Sequence, residues 1–491
     1  MNVVMEKIPS NLRTPLFQIE FDGSQTGLRA EIAPSLLIGQ KLAAGSADAD
    51  VPVQVSGTEQ AKALFGAGSM LARMVETYRR GDSFSELWCL PVADDGAGVA
   101  AEGTLTFTGP ATRAGTLSIY IAGQRVRVGV GEGDTANDIA TAVAAAVTAA
   151  AELAVVTLTA KHKGALGNDI DLRMNYLGAR GGEALPPGVT VAIVAMADGA
   201  TDPDIADGVA ALGDELFDHV GCPYTDTANL DVIEEAWGDG TGRWAWDRQI
   251  YGHVYAGKTG TVSSLGTAGN ARNDPHATIM GYKGSPTPPW EWAASLTASS
   301  ARAINIDPAR PLQTLPLTAV MPPVPEDRFT QSERNILLYD GISTFTVADD
   351  GTVSIERLIT TYQKNAFGDP HDAWLDVNTP ATLTRFARRM RSMITTKYPR
   401  HKLADDGDFG RGSNVVTPSI IRAEIEAEYR LMVREGLVEN VEAFMEALIV
   451  ERDANDPNRI NVLMRPDLVN QLRIFAVRNQ FLLQSPQAQA A

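Results

Sequence analysis

Leu87-Trp88-Cys89-Leu90-Pro91-Val92 is a run of six uncharged residues without polar alternation, the pattern of a strand buried on both faces. Upstream, Leu36-Leu37-Ile38-Gly39 has the same texture, and residues 51–55 add another short strand. Between them, Ser56-x-x-Glu59 has the form of a capping box opening a helix. Ala63, Leu64, Met70, Leu71, Met74, Val75 and Tyr78 put apolar residues on its buried face, and Gly81 ends it. The β-α-β order predicts helices packed on a parallel sheet.

The same alternation returns from 200 to 345. Helices are expected at 203–216, 227–237, 260–270 and 290–304, and strands at 218–223, 249–256 and 276–282. The stretch between differs. Thr104-Leu105-Thr106-Phe107, Leu117-Ser118-Ile119-Tyr120-Ile121 and Val126-Arg127-Val128 are β-like, an Ala-rich helix follows at 135–150, and further strands fall near 155–159, 170–173 and 189–194. Gly/Pro-rich breaks at 94–98 and 178–188 bracket much of it.

Beyond a proline-rich loop, Asp349-Asp350-Gly351 turns a hairpin. Helices follow at 380–397 and 418–435, the second with Thr417 as N-cap, Pro418 at its first position and Gly436 past its end. A second hairpin pairs Leu448-Ile449-Val450-Glu451 with Ile460-Asn461-Val462-Leu463. Two apolar runs, Leu16, Phe17, Ile19 and Phe21 near one end and Leu472, Ile474, Phe475 and Val477 near the other, have no local partner. They are strand edges in need of a sheet.

The fold class expected is α/β and α+β multidomain, and 491 residues allow about three domains of ~150. The division is an N-terminal arm (1–28), a parallel-sheet α/β core in two segments (29–94 and 201–342), an inserted β-rich domain (95–200), an α+β C-terminal domain (343–465), and a C-terminal arm and tail (466–491).

Charged residues are 21% and the net charge is −18, which argues against a general nucleic-acid binder. Cys89 and Cys222 form no disulfide framework, as suits a reducing assembly site. Glu6, Lys7 and Arg13 interrupt any N-terminal apolar stretch, and Ile139–Ala151 is too short and mild to span a bilayer; a soluble chain without membrane insertion is expected.

Gly252-His253-Val254-Tyr255-Ala256-Gly257-Lys258-Thr259 matches G-x-x-x-x-G-K-[ST]. Its interior favours extended backbone, whereas a phosphate nest needs a wrapped turn. The expectation is a buried strand running into a turn, with a P-loop nucleotide-binding enzyme as the alternative. The apparent second element, Ile336-Leu337-Leu338-Tyr339-Asp340, lies in a helix expected at 331–339. No G-x-S-x-G occurs, the six histidines are scattered, and the acidic turns 349–351 and 405–408 lack calcium-loop spacing. No catalytic, metal or cofactor residue is assigned.

Charge is unevenly placed. Between Arg180 and Arg243 lie thirteen acids and no Lys or Arg; between Asp376 and Asp405 lie seven bases and no acid. On the helix at 380–397, Leu383, Phe386, Met390 and Ile394 form an apolar stripe, and Arg385, Arg388, Arg389 and Arg391 lie mostly off it. That face is either solvated or docks an acidic partner.

Several stretches together resemble the contractile-tail sheath proteins of Mu-like bacteriophages. They are Val55-Ser56-Gly57-Thr58-Glu59-Gln60-Ala61-Lys62-Ala63-Leu64-Phe65-Gly66-Ala67-Gly68-Ser69 with Glu86-Leu87-Trp88; Lys163-Gly164-Ala165-Leu166-Gly167-Asn168-Asp169-Ile170; Arg272-Asn273-Asp274-Pro275-His276; and Asp340-Gly341-Ile342-Ser343 followed by Gly351 to Tyr362. The resemblance implies a virion structural protein, assembled in the host cytoplasm, with no enzymatic activity and no cofactor. Its partners would be itself, in stacked six-fold rings around a tail tube, the tube protein, and baseplate and terminator proteins. It further implies an α/β domain sometimes called subtilisin-like, and terminal arms that add strands to neighbours' sheets. On that reading, residues 16–21 and 472–477 are inter-subunit arms, the hairpin carrying Leu448, Val450, Ile460 and Val462 is an acceptor, and Arg385, Arg388, Arg389 and Arg391 face the tube.

Overall fold

The computed structural model describes residues 34–148, 150–410 and 412–482. Contacts divide them into two units, one of residues 34–381 and 468–482, the other of residues 382–467.

The larger unit begins with strand β1 (Ser35–Gln40), buried along its whole length. Strand β2 (Val53–Gln54), helices α1 (Thr58–Phe65) and α2 (Met70–Gly81) and strand β3 (Leu87–Val92) complete the first α/β motif. The single helix expected up to Gly81 is two. Gly66 and Gly68 take φ of 91° and 78°, a region costly for residues with a Cβ, and Ser69 restarts the helix by accepting the Ala72 N–H. The expected capping box does not form either. Ser56 bonds Gln60 through its N–H (2.8 Å) and hydroxyl (2.7 Å), and Glu59 pairs with Lys62 at 2.7 Å.

Strands β4 (Ala100–Thr108), β5 (Gly115–Ile121) and β6 (Gln124–Val130), helix α3 (Ala136–Val147), and strands β7 (Ala150–Glu152), β8 (Val155–Lys163), β9 (Leu172–Met174) and β10 (Thr190–Ala197) follow. They make two antiparallel sheets, β10-β4-β8-β7 and β6-β5-β9. Leu105, Phe107, Leu117, Ile119, Ile139, Val143 and Val156 form a hydrophobic cluster of their own.

The chain then alternates α4 (Ala206–Ala211), β11 (His219–Gly221), α5 (Thr227–Trp237), β12 (His253–Thr259), α6 (Val262–Asn270), β13 (Ala277–Tyr282) and α7 (Pro289–Ile306), before α8 (Gln331–Tyr339) and the hairpin β14 (Thr344–Val347) and β15 (Val353–Arg357). Helix α5 has the expected bounds, and Asp226 caps its start by accepting the Asn229 N–H at 3.0 Å. The main sheet has the order β13-β12-β11-β1-β3-β2. Every neighbouring pair is parallel except β2 with β3, where Val53 opposes Cys89 in antiparallel sense. The sheet is therefore mixed rather than all parallel; two residues at its edge carry no alternation that could encode direction. Below it, Trp292 stacks on Tyr282 at 4.5 Å and meets Phe345 at 5.0 Å.

Helix α9 (Asn378–Lys397) leads into the smaller unit, which holds β16 (Lys402–Leu403), β17 (Val415–Val416), α10 (Pro418–Glu435), β18 (Val438–Glu439), α11 (Val441–Ala447), β19 (Ile449–Arg452) and β20 (Ile460–Leu463); β21 (Asp467–Leu468) ends the regular structure. Helix α10 has the expected Thr417 cap and a left-handed Gly436. Tyr429 stacks on Phe444 at 3.6 Å beneath it.

Candidate functional site

In an open α/β sheet, ligands bind outside the carboxyl ends of the strands, where strand order switches direction. Here the switch lies at β1, flanked by β3 and β11, and protein fills it. Gln40, at the end of β1, is fully buried and donates to Asp94 (2.8 Å) and to the Lys163 carbonyl (2.7 Å). The Leu166 N–H donates to Asp202 at 3.1 Å, and the His162 Nε2 accepts the Met70 N–H at 2.8 Å. Thus the Lys163–Asp169 segment plugs the edge. Burial pushes the Asp169 carboxyl up to about 6, opposed by Lys258 and reinforced by Asp202.

The P-loop-like letters belong to this packed edge. Residues 253–259 are strand β12, buried through Gly257, and the Lys258 ammonium donates to Thr225 Oγ1 at 3.1 Å. They form no phosphate nest. Ile336–Tyr339 is the end of α8, not a strand.

Three of the histidines, read as scattered, come together at the amino ends of the strands. His219 and His253 are register partners on β11 and β12, and His276 directly precedes β13. The Thr278 hydroxyl donates to the Ile359 carbonyl (2.8 Å), so His253 Nε2 donates to Thr278 (2.8 Å). Burial, then His276 and His219, holds the His253 imidazole well below its ordinary range. Asp226 lies past the carboxyl end of β11 while His253 starts β12, so the two cannot act on one substrate atom. Among the described residues there is no group of three or more His, Cys, Asp or Glu able to hold a metal ion, and no helix long and apolar enough to cross a membrane.

The basic helix is partly spent on its own unit. Arg389 makes ion pairs of 2.6 Å with Glu428, whose side chain is 5% exposed, and 2.5 Å with Glu435. Lys397 pairs with Glu424 at 2.6 Å. Within its own unit Arg389 is held by two carboxylates on α10, in the sequence beyond the acid-free segment. Arg385 and Arg388 are half-buried with interactions of their own. Arg391 is exposed, with no ion-pair partner among the described residues. The buried stripe runs Phe386, Met390 and Met393, with Ile394 at its margin, 36% exposed.

The second hairpin forms as expected. Val450 opposes Val462, and Arg452 opposes Ile460. Asp453 fixes the turn by accepting the N–H groups of Asn455 (2.8 Å) and Asp456 (2.9 Å). Ile449, Val462 and Leu463 are exposed, and the two strands form a sheet with no third member among the described residues. Leu448 departs from its expected place: it is buried at the C-cap of α11, ahead of the strand, and serves the core rather than the hairpin surface.

Residues 16–21 lie outside the described residues. Residues 469–482 are described, and take no strand. Leu472, Ile474, Phe475, Val477, Phe481 and Leu482 are 70–95% exposed. The segment is nevertheless tethered. Arg473, which nothing in the sequence distinguishes, donates to Asp376 (3.0 Å) and Asn378 (3.2 Å), and Asp376 also pairs with Arg357 at 3.1 Å. Gln313 donates to the Leu472 carbonyl at 3.3 Å. Full burial of such apolar side chains is worth ~1.5–3 kcal/mol each, so six left in water amount to a large unmet demand for cover.

Comparison with known proteins agrees with these features. Residues 198–361 match the family model of the phage tail sheath protein central domain, and residues 369–482 that of the phage tail sheath C-terminal domain. The chain is 42% identical over 494 residues to the tail sheath protein of the Mu-like prophage FluMu of Haemophilus influenzae, covering 98% of this chain and 100% of that protein. Solved structures at 11% identity include the sheath tail protein of Desulfitobacterium hafniense (93% of this chain, 100% of that one, TM-score 0.46) and a chain of the anti-feeding prophage baseplate in its contracted state (99% and 100%, TM-score 0.49). The chain therefore belongs to the phage tail sheath family, as a non-enzymatic structural component of the contractile tail of a virion.

Proposed function

We propose that the chain polymerises as stacked six-fold rings around a tail tube, joined by exchanged terminal arms, and contracts to drive the tube through the host envelope for genome ejection. The observation that carries this reading is the tethered apolar segment 472–482. An extended peptide with strand-forming residues and no sheet is satisfied by adding to an edge on another copy. The hairpin β19–β20 supplies an edge of that kind. Such a contact does not close on itself, so it generates stacked or helical order. In this reading residues 16–21 are the second arm. The α/β core in its two segments, the inserted domain at 95–200, the C-terminal domain at 343–465 and the two arms then divide the work of body, decoration and linkage between them. The tube meets the 380–402 segment through Arg391, with Arg385 and Arg388 beside it. An exposed ion pair contributes only ~0.2–1 kcal/mol, which repetition multiplies while each contact stays weak enough to slip. Tube, baseplate and terminator proteins are the partners, and assembly takes place in the host cytoplasm.

Negative-stain microscopy of the chain mixed with tail tubes tests this. Coated tubes are expected from the full chain, and a folded but non-polymerising subunit from deletion of residues 1–22. Normal coating by the deletion variant would remove the arm from the mechanism; bare tubes with the full chain would remove the mechanism itself.

A further inference from the structure

Beyond assembly through arms, β10 presents an unusual edge. It is the longest edge strand among the described residues, and none of these residues forms a strand on its side away from β4. From residue 184 to residue 197 the chain carries no charge. Proteins normally protect such an edge with Lys, Pro, brevity or a bulge. Here only a bulge is present, between Val194 and Ala197, and it leaves Thr190–Val194 in regular register with β4.

The hydrophobic core is open at this edge. Ile193 opposes Leu105, and Val191 opposes Phe107. Leu105 and Phe107 are 0% and 2% exposed, whereas Ile193 on the same face is 37% exposed, and Val194 on the other face is 61% exposed. A neighbouring strand with β-branched residues would close that face.

We propose that β10 is a self-pairing edge, through which two free copies of this chain join as an antiparallel, two-fold pair centred on Ala192. The five regular residues are self-complementary about that point. Thr190 meets the copy's Val194, Val191 meets its Ile193, and Ala192 meets its own counterpart. Each outer pair is β-branched with β-branched, the combination favoured across strands. Copies of a chain with net charge −18 repel one another, and this edge brings no acid to the contact. Opposed Val191 and Ile193 extend each open core face into the other. Five residues a side bury less than the ~1,200 Å² at which standard specific interfaces begin, so the pair forms and separates readily. Being two-fold, it closes at a dimer. In the head-to-tail growth proposed above, on which this last step rests, it is a form of the subunit outside the tail.

Sedimentation velocity of the full chain, without tubes and below the concentration at which it polymerises, tests the pair. A monomer–dimer equilibrium is expected. Val194→Lys should raise its dissociation constant at least tenfold, while Val99→Lys, half-exposed and off β10, leaves it unchanged. Monomer at every concentration, an equal response to both substitutions, or growth past dimer overturns the proposal. As a second readout, Ala192→Cys treated with a short bismaleimide should give a covalent dimer faster than Val99→Cys; equal rates overturn it. Because tubes are absent, loss of the dimer bears on β10 alone, and failure to coat tubes bears on the assembly reading alone.

Discussion

Leu87–Val92 and Leu472–Leu482 are alike in sequence texture and opposite in fate. The first lies between two strands, with Leu87, Cys89 and Leu90 fully buried. The second exposes six large apolar side chains and is held to its unit through Arg473. Side chains state that a segment needs cover; they do not state which molecule supplies it. In the first case β1 and β2 are on the same chain. In the second no strand of this chain covers it among the described residues, and cover from another copy is the proposal made above.

The largest expected effect breaks this contrast. Replacing Leu472, Ile474 and Phe475 together by Asp should abolish tube coating and leave the thermal midpoint of the free subunit within about 2 °C, because these residues bury little in the subunit. Trp292→Ala, in the packed core, should do the reverse to the fold. It removes the stacking on Tyr282 and the contact with Phe345, at a cost of about 3–5 kcal/mol. Urea denaturation measures the second and microscopy the first. A comparable loss of stability from the Asp triple would mean that the segment belongs to the core after all.

A smaller effect separates the arginines of α9. Glu428 is buried and bonded to Arg389 at 2.6 Å. Glu428→Ala should cost about 2 kcal/mol, below the 3–5 of a fully buried broken pair, since Glu435 still holds Arg389. Arg391→Gln should change stability by less than about 0.5 kcal/mol and weaken tube association in a salt-sensitive way. Equal stability losses, with tube binding untouched, would mark the whole face as internal.

Much of the fold was legible because its signals are local. Thr417 and Gly436 bounded α10, and Asp349-Asp350-Gly351 marked the turn between β14 and β15. What was missed depends on distant partners. Glu428 neutralises Arg389 from 39 residues away. The cluster of His219, His253 and His276 exists only through the register of β11 to β13, although His219 and His276 fell at the start of expected strands. Gly66 and Gly68 split a helix whose apolar face continues unbroken in sequence. For the candidate site, strand-like runs could be found at both ends, but Arg473, the tether of the 472–482 segment, could not be told from a solvated cation.

The last expected effect concerns the plugged sheet edge, where chemistry was sought and packing found. Asp169 has its carboxyl raised from 3.8 to about 6, by burial first. A raised carboxyl means that the folded state holds this proton up to about pH 6, while the unfolded chain releases it near 3.8. Between those values the folded state binds more protons, so this residue's contribution to stability falls as pH rises from about 4 to 6 and stays low above. Asp169→Asn removes the ionisation. It should therefore stabilise the subunit at pH 8 relative to wild type, by about 1–2 kcal/mol, and make little difference at pH 4. Lys258→Ala should move the wild-type midpoint further up, because Lys258 is the cation that opposes the shift, and ATP with magnesium should not alter the melting of either protein. Chemical denaturation across this pH range gives the curves. A variant with the same pH dependence as wild type would mean that Asp169 is solvated in the folded chain. Stabilisation by ATP that Lys258→Ala abolishes would restore the phosphate reading of Gly252–Thr259 and would require the Lys163–Asp169 plug to open.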